Sequence, residues 1–303
     1  MPYYTTIQDN KYHTAHAATA SFMSTSISLF FQRVAPKLWL TRCAGRLASC
    51  RQPWVAQPLI RGYARWYGID LGEALLPDPK AYDSFNAFFT RALRPGARQL
   101  ADADWTSPAD GIVSQFGRIS LGQLIQAKQR QYSAAALLAD ADLARALGGG
   151  WFTTIYLSPR DYHRVHMPCE GRLLGMRHVP GTLYSVRPEI VQGMDGLLAR
   201  NERVICWFEH PLHGVYAVVL VGAAIVGSIA TAWHGQVARH GRRIQQWDYG
   251  GLPPLRLPQG AEMGHFQLGS TVVVLMPGSA WRFHPGWKTG RAVRLGQAMA
   301  DRR

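Results

Sequence analysis

The chain has 303 residues, 47% of them hydrophobic, which is enough for one large domain or two around a real core. Its 33 Lys and Arg against 19 Asp and Glu give a formal charge of +14, pointing to an anionic partner: nucleic acid, an anionic membrane surface or an acidic substrate. The four cysteines, Cys43, Cys50, Cys169 and Cys206, exclude a small disulfide framework and show no paired zinc spacing, so a reducing, cytoplasm-facing setting is expected.

Residues 1–22 are polar, without a convincing period, and are expected to be a disordered extension; Met23 offers an alternative start. No basic stretch precedes an apolar core with a small-residue cleavage site, so no signal peptide is expected. Residues 23–100 read as a helical region. Leu29-Phe30-Phe31, Val34, Leu38-Trp39-Leu40 and Leu47 alternate with Arg33, Lys37, Arg42 and Arg46, and Pro36 is expected to kink this stretch or start a second helix. Trp54, Val55, Leu59, Tyr63, Trp66 and Tyr67 continue at helical spacing. Residues 1–67 carry eight bases against Asp9 alone. Such a basic, aromatic, amphipathic segment suits the headgroup layer of an anionic membrane, and equally a helical layer over the core. Asp83 is a candidate cap for a helix bearing Phe85, Phe88 and Phe89 on one face, ended by Arg94-Pro95-Gly96.

Residues 101–303 change texture to short β-rich runs broken by glycine. Strands are expected over 112–119, 151–157, 172–179, 203–209 and within 215–233, with a helix over 134–147 stopped by Gly148-Gly149-Gly150. The uncharged residues between His213 and His234 are long enough to span a bilayer. Their valines, isoleucines and spaced glycines suit two buried strands better. The fold class is therefore α+β, N-terminal amphipathic helices followed by a mostly antiparallel β-rich core.

Three constellations can carry chemistry. Gly269-Ser270-Thr271 runs into Val272-Val273-Val274, so a serine sits between a permissive glycine and a stiff strand, with its hydroxyl near the preceding carbonyl. That suits attack by Ser270 on its own peptide bond to Gly269; a plain turn into a buried strand is the alternative. Ser107-Pro108-Ala109-Asp110-Gly111 offers a carboxylate at what is otherwise a turn pair. In Ser158-Pro159-Arg160-Asp161-Tyr162-His163-Arg164-Val165-His166, Ser158, Pro159 and Asp161 read as the start of a short helical turn before an extended Val165–Met167. Two histidines without a nearby carboxylate or thiol pattern make a poor metal site, and none is expected.

These motifs, in this order and at these separations, resemble bacterial phosphatidylserine decarboxylase of the pyruvoyl-dependent, membrane-associated type. Pro36–Arg42, Ser84–Phe89, Asn201–Val204 and Val221–Ser228 extend the resemblance over essentially the whole chain from about residue 23. Arg187 stands where the family usually has Asn, and Leu198 where Phe is common. The resemblance implies that Ser270 attacks Gly269, that the chain is cut between them, and that Ser270 becomes a covalent pyruvoyl cofactor. It implies His166 as the base, oriented by Asp110, and His163 as the group that protonates the carbanion after a Schiff base with phosphatidylserine loses CO₂. Phosphatidylethanolamine would be the product, made at the cytoplasmic face of the cell membrane by a peripheral enzyme. Residues 270–303 would remain bound as a partner chain in a homodimer of processed protomers. An ordinary serine hydrolase is opposed by the lack of a Gly-x-Ser-x-Gly elbow. A nucleic-acid-binding module is opposed by the lack of an organised basic–aromatic motif, and no nucleic-acid partner is expected. An unprocessed membrane scaffold is the third alternative.

Overall fold

The valine-rich runs that dominate the second half of the sequence lie in the middle of one antiparallel sheet. The computed structural model describes residues 37–127, 130–223, 229–237, 243–251, 253–267, 270–278 and 281–302, and for residues 37–42, 125–127, 130, 189 and 270 the backbone alone. The expected extension 1–22, the start of the first amphipathic stretch, Pro36 and Gly269 lie outside these residues.

The strands, in chain order, are β1 (Trp105–Thr106), β2 (Gly111–Arg118), β3 (Gln123–Ala127), β4 (Arg130–Ser133), β5 (Trp151–Leu157), β6 (Arg164–His166), β7 (Gly171–Val179), β8 (Arg203–His210) and β9 (Gly214–Val221). They continue with β10 (Ile229–Thr231), β11 (Gly235–Val237), β12 (Gln245–Asp248), β13 (Arg256–Leu257), β14 (Glu262–Phe266), β15 (Ser270–Met276), β16 (Trp281–Phe283), β17 (Ala292–Val293) and β18 (Ala298–Arg302). The large sheet runs β12-β7-β8-β9-β15-β5-β2-β17, with β13 also on β7; a second sheet runs β11-β10-β14-β6 and a third β1-β18-β16, while β3 and β4 form a separate hairpin. Every pairing between named strands is antiparallel. With N-terminal helices ahead of these sheets, the α+β reading stands.

β15 is central. It pairs with β5 from Ser270–Leu157 to Met276–Trp151 and with β9 from Thr271–Val221 to Leu275–Ala217. Thr271 to Met276 are all buried, because both faces of the sheet are covered, and a strand covered on both faces reads as a continuous apolar run. The same explains 214–221, a central strand. Ile229–Thr231 of the same run form β10 in the other sheet, and no helix among the described residues is long and apolar enough to cross a membrane.

The helices match in placement and differ in their ends. Helices span Lys37–Ala48 and Pro53–Tyr67; the second starts with proline in its first turn and ends at Gly68, whose φ of 61° a side chain would resist. Ser84, not Asp83, caps Phe85–Phe89 by accepting from the Ala87 N–H, while Asp83 lies 3.4 Å from Arg51 on the surface. Phe85, Phe88 and Phe89 pack with Ala56, Ile60 and Tyr82 in a cluster of their own. The expected helix over 134–147 is two, Ala134–Leu138 and Ala141–Ala146, because Asp140 takes the N–H groups of Asp142 and Leu143 and starts a new helix.

Candidate active site

β14 lies inside one sheet, between β10 and β6, and β15 in the middle of another, so the chain between Phe266 and Ser270 crosses from sheet to sheet. The segment from Leu157 to Arg164 makes the opposite crossing, from β5 to β6. The two crossings are joined at both ends: Ser270 is in register with Leu157, and the Phe266 N–H donates to the His163 carbonyl at 3.1 Å. The bond expected to be cut thus belongs to a link whose two described ends are fixed at the two ends of the 158–163 turn.

That turn is not helical. Asp161 Oδ2 accepts from the Ser158 backbone N–H and hydroxyl, both at 2.7 Å, which is the reciprocal half of a capping box, but the chain goes straight on into β6. The extended run after it starts at Arg164. His163 and His166 therefore sit three apart on a turn and a strand.

His166 is tied by backbone to the Asp110 loop, its N–H donating to the Pro108 carbonyl at 2.8 Å. Its Nδ1 donates to the Gly260 carbonyl at 2.8 Å, which fixes the tautomer and leaves Nε2 with the lone pair. Nε2 accepts from the Tyr162 hydroxyl at 3.1 Å, and burial pushes the Tyr162 phenol up, keeping it a donor. Burial holds the His166 imidazole below its ordinary value, against the Gly260 carbonyl and the charges of Glu262 and Asp110. A neutral ring with one committed N–H is the form a general base needs.

The orienting bond expected from Asp110 is made by Gly260. Asp110 Oδ1 accepts from Arg98 Nε at 3.0 Å and the Leu295 N–H at 2.8 Å, and Oδ2 from Arg98 Nη2 at 2.5 Å. Its carboxylate reaches His166 by charge. Gly111 follows because β2 passes close to β5: a Cβ there would lie 2.4 Å from the Tyr156 carbonyl oxygen. Close approach, not a turn, explains the Asp-Gly pair.

His163 is fully buried and lies against Phe89 with ring centroids 4.0 Å apart. Its Nδ1 donates to the Asp161 carbonyl at 2.8 Å, and its Nε2 has no hydrogen-bond partner. Burial, then the positive charge of Arg91, pushes His163 down to about 3, so Nε2 carries an available lone pair at neutral pH.

Arg91, Arg98, Tyr162 and Gly260 were not legible as site residues. Gly260 acts through its carbonyl, which every residue has, and the arginines have no spacing that distinguishes them from surface bases. A further unforeseen cluster is Cys169, His210 and His213, whose ligand atoms all lie within 4.8 Å of one another. His210 Nδ1 accepts from the Leu212 and His213 N–H groups, leaving hydrogen on the Nε2 that faces Glu170 at 3.5 Å. The Nδ1 lone pair is committed to the hairpin tip and Nε2 carries the hydrogen, so His210 offers no lone pair to a metal in this arrangement.

A sequence model of the family described as phosphatidylserine decarboxylase matches residues 85–301, and a second, described as PSD, matches residues 27–68. The chain is 56% identical over 283 residues to a phosphatidylserine decarboxylase proenzyme of Acidovorax ebreus, covering 92% of this chain and 99% of that protein. Proteins of the same description from Chromobacterium violaceum and Methylibium petroleiphilum are 53% and 54% identical over 281 residues, covering 92% of this chain and 100% and 98% of theirs. A β-rich core that carries two neutral histidines beside an inter-sheet link is the setting these matches fall on. The chain belongs to the phosphatidylserine decarboxylase family.

Proposed function

We propose that this chain is a proenzyme that cuts itself between Gly269 and Ser270 and then converts phosphatidylserine to phosphatidylethanolamine. The observation that carries the reading, beside family membership, is the link between Phe266 and Ser270, fixed at both ends against the turn that bears His163. In the cut, the Ser270 hydroxyl adds to the Gly269 carbonyl carbon, the Gly269–Ser270 C–N bond breaks, and an ester forms. Loss of the Ser270 α-proton then breaks the ester C–O bond, leaving Gly269 as a carboxylate and residue 270 as dehydroalanine. Water converts the latter to a pyruvoyl group and ammonia. His166 takes the hydroxyl proton at Nε2 after Tyr162 gives way, and the Asp110 charge favours the imidazolium that results.

A pyruvoyl group at residue 270 would supply the electron sink for the decarboxylation. The protein's own part is proton management. The serine ammonium must become neutral before it can condense, and a histidine pushed down to about 3 is too weak a base to take that proton. His163 serves instead at the carbon that loses CO₂, because its imidazolium gives up a proton readily.

Membrane association at the cytoplasmic face is supported by Trp54 and Trp66, which are 76% and 83% exposed on the basic helix Pro53–Tyr67. An apolar groove of about 550 Å³ lined by Leu47, Leu59, Tyr63, Trp66 and Phe85 suits an acyl chain. The homodimer is tested by sedimentation of the processed protein. The function itself is tested by intact-mass measurement with CO₂ release from phosphatidylserine. Two chains, the smaller beginning with a pyruvoyl group at 270, and release of CO₂ support the reading; a single intact, fully active chain overturns it.

A further inference from the structure

Arg91 is 5% exposed, yet no carboxylate among the described residues pairs with it. Its Nη2 donates to the carbonyls of Arg160 at 3.3 Å and Asp161 at 3.5 Å, its guanidinium lies 5.6 Å from the Phe88 ring centroid, and its Nη1 is buried without a partner. A buried cation with an idle donor is costly unless something anionic completes it. Arg98, in the same wall, shows the contrast, because Glu73 and Asp110 both bind it. Both arginines line a cavity of about 220 Å³, with Arg160, Arg294 and Tyr162. Of the other acids in the lining, Glu73 also holds Arg294 at 2.9 Å, Asp161 holds Ser158, and Asp70 accepts from the Gly72 N–H at 2.7 Å at the cavity's exposed rim. The Arg91 charge is felt at His163, whose Nε2 is likewise buried and idle, so an idle donor and an idle acceptor lie under one turn.

We infer that Arg91 binds the phosphodiester of the substrate headgroup through its idle Nη1 at this cavity. The inference rests on the decarboxylase reading. The substrate has a second anion, its carboxylate, but a fixed cation on that group would stabilise the state before CO₂ leaves more than the transition state, where the charge moves to carbon, and would slow the reaction. The phosphodiester keeps its charge throughout. A contact with it is uniform binding, so its loss should fall on KM more than on kcat.

The test uses Ser270→Ala, which holds the chain in one piece whatever processing does, and glycerophosphoethanolamine, a soluble headgroup with phosphodiester and amine but no carboxylate. Calorimetry should show binding that Arg91→Met weakens about 10- to 100-fold, as expected for loss of a charge-assisted hydrogen bond. Free ethanolamine should bind both proteins alike. In the processable chain, Arg91→Met should raise KM for phosphatidylserine by a similar factor, with kcat changed about threefold or less. Arg91→Lys, a shorter point charge, should restore part of the loss. Equal affinity of the two proteins for glycerophosphoethanolamine, or a defect confined to kcat, overturns the assignment. If Arg91→Met lacks a cooperative melt, Arg91→Lys decides: weakening of several-fold supports it and unchanged affinity overturns it. Phosphatidylglycerol, an anionic lipid that cannot react, should compete with substrate; activation that Arg91→Lys abolishes would place a regulatory lipid there and overturn it. An uncleaved wild-type chain that still binds the headgroup through Arg91 would sink the decarboxylase reading alone.

Discussion

The Phe266 N–H donates to the His163 carbonyl, so the histidine assigned to turnover and the start of the segment proposed to be cut are joined main chain to main chain. A side-chain substitution at His163 leaves that bond in place. His163→Ala should therefore cleave substantially and decarboxylate poorly. His166→Ala should accumulate uncleaved chain, since loss of a positioned general base costs about 10²–10⁴-fold. A denaturing gel run beside CO₂ release separates the two, and cleavage blocked by His163→Ala alone would reverse the roles.

Tyr162 occupies the His166 lone pair in the uncut chain. Tyr162→Phe removes a competitor for the Ser270 proton without unpinning Nδ1 from Gly260. Cleavage should proceed at least as fast as in the parent, followed by gel time course. A slowing of about 100-fold would make Tyr162 a participant, not an occupant.

Acid should destabilise the precursor in two windows. His163 is pushed down to about 3 and His166 is also lowered, so unfolding frees both rings to take protons at their ordinary value of 6.5. Their contribution is complete above about 6.5 and is lost as pH falls toward 3, at about 1.4 kcal/mol per pH unit for each proton taken up. Glu262, held at about 2 against burial by bonds from His265 and Arg164, adds a second loss as pH falls below 4.5. Urea midpoints of Ser270→Ala between pH 7.5 and 4 should decline, and His163→Phe should reduce the slope between 6.5 and 4.5 by about one proton. A slope unchanged by that substitution would mean the buried ring is already charged.

Val273 is fully buried between β5 and β9. Val273→Ala should cost roughly 2–3 kcal/mol in the uncut Ser270→Ala background, for the methyls lost and the cavity left. In the cut protein the same change should ease release of residues 270–303, read by size exclusion in mild denaturant.

Trp54 and Trp66 are mostly exposed, so replacing both with Ala should leave the melting temperature within a degree or two and weaken binding to anionic vesicles about tenfold or more. Salt should weaken parent binding only in part, because charge attraction is screened and apolar insertion is not. Vesicle binding unaffected by the double change would place the membrane face elsewhere.

Residues whose role is to fill space or fix an extended backbone were readable in advance: the Val272–Val274 run, the strands 151–157 and 203–209, and the phenylalanines of 85–89 all lie where their spacing puts them. Ends were harder. Asp83 and Ser84 are both good caps, and only the side chain's reach to the Ala87 N–H selects Ser84. Which sheet a strand joins was not readable, because β9 and β10 arise from one uncharged run yet belong to different sheets. At the site, the motif histidines were legible as residue types, but their partners were not. The Gly260 carbonyl is brought there by pairing of distant strands, and the Asp161 carbonyl by the path of a turn whose helical start did not continue.

Because β15 holds the centre of the large sheet, and β16 and β18 behind it close the third, residues 270–303 are no tail. The proposed self-cutting would therefore need a finished fold, since the turn and both histidines meet the two ends of the link only once β5, β6, β14 and β15 are in register. After such a cut the covalent path that brought them into register would be gone. A protein so processed would keep its shape but lose its instructions for regaining it, so one unfolding would end its working life. Its persistence is then governed by the height of its unfolding barrier, not by an equilibrium between folded and unfolded chains.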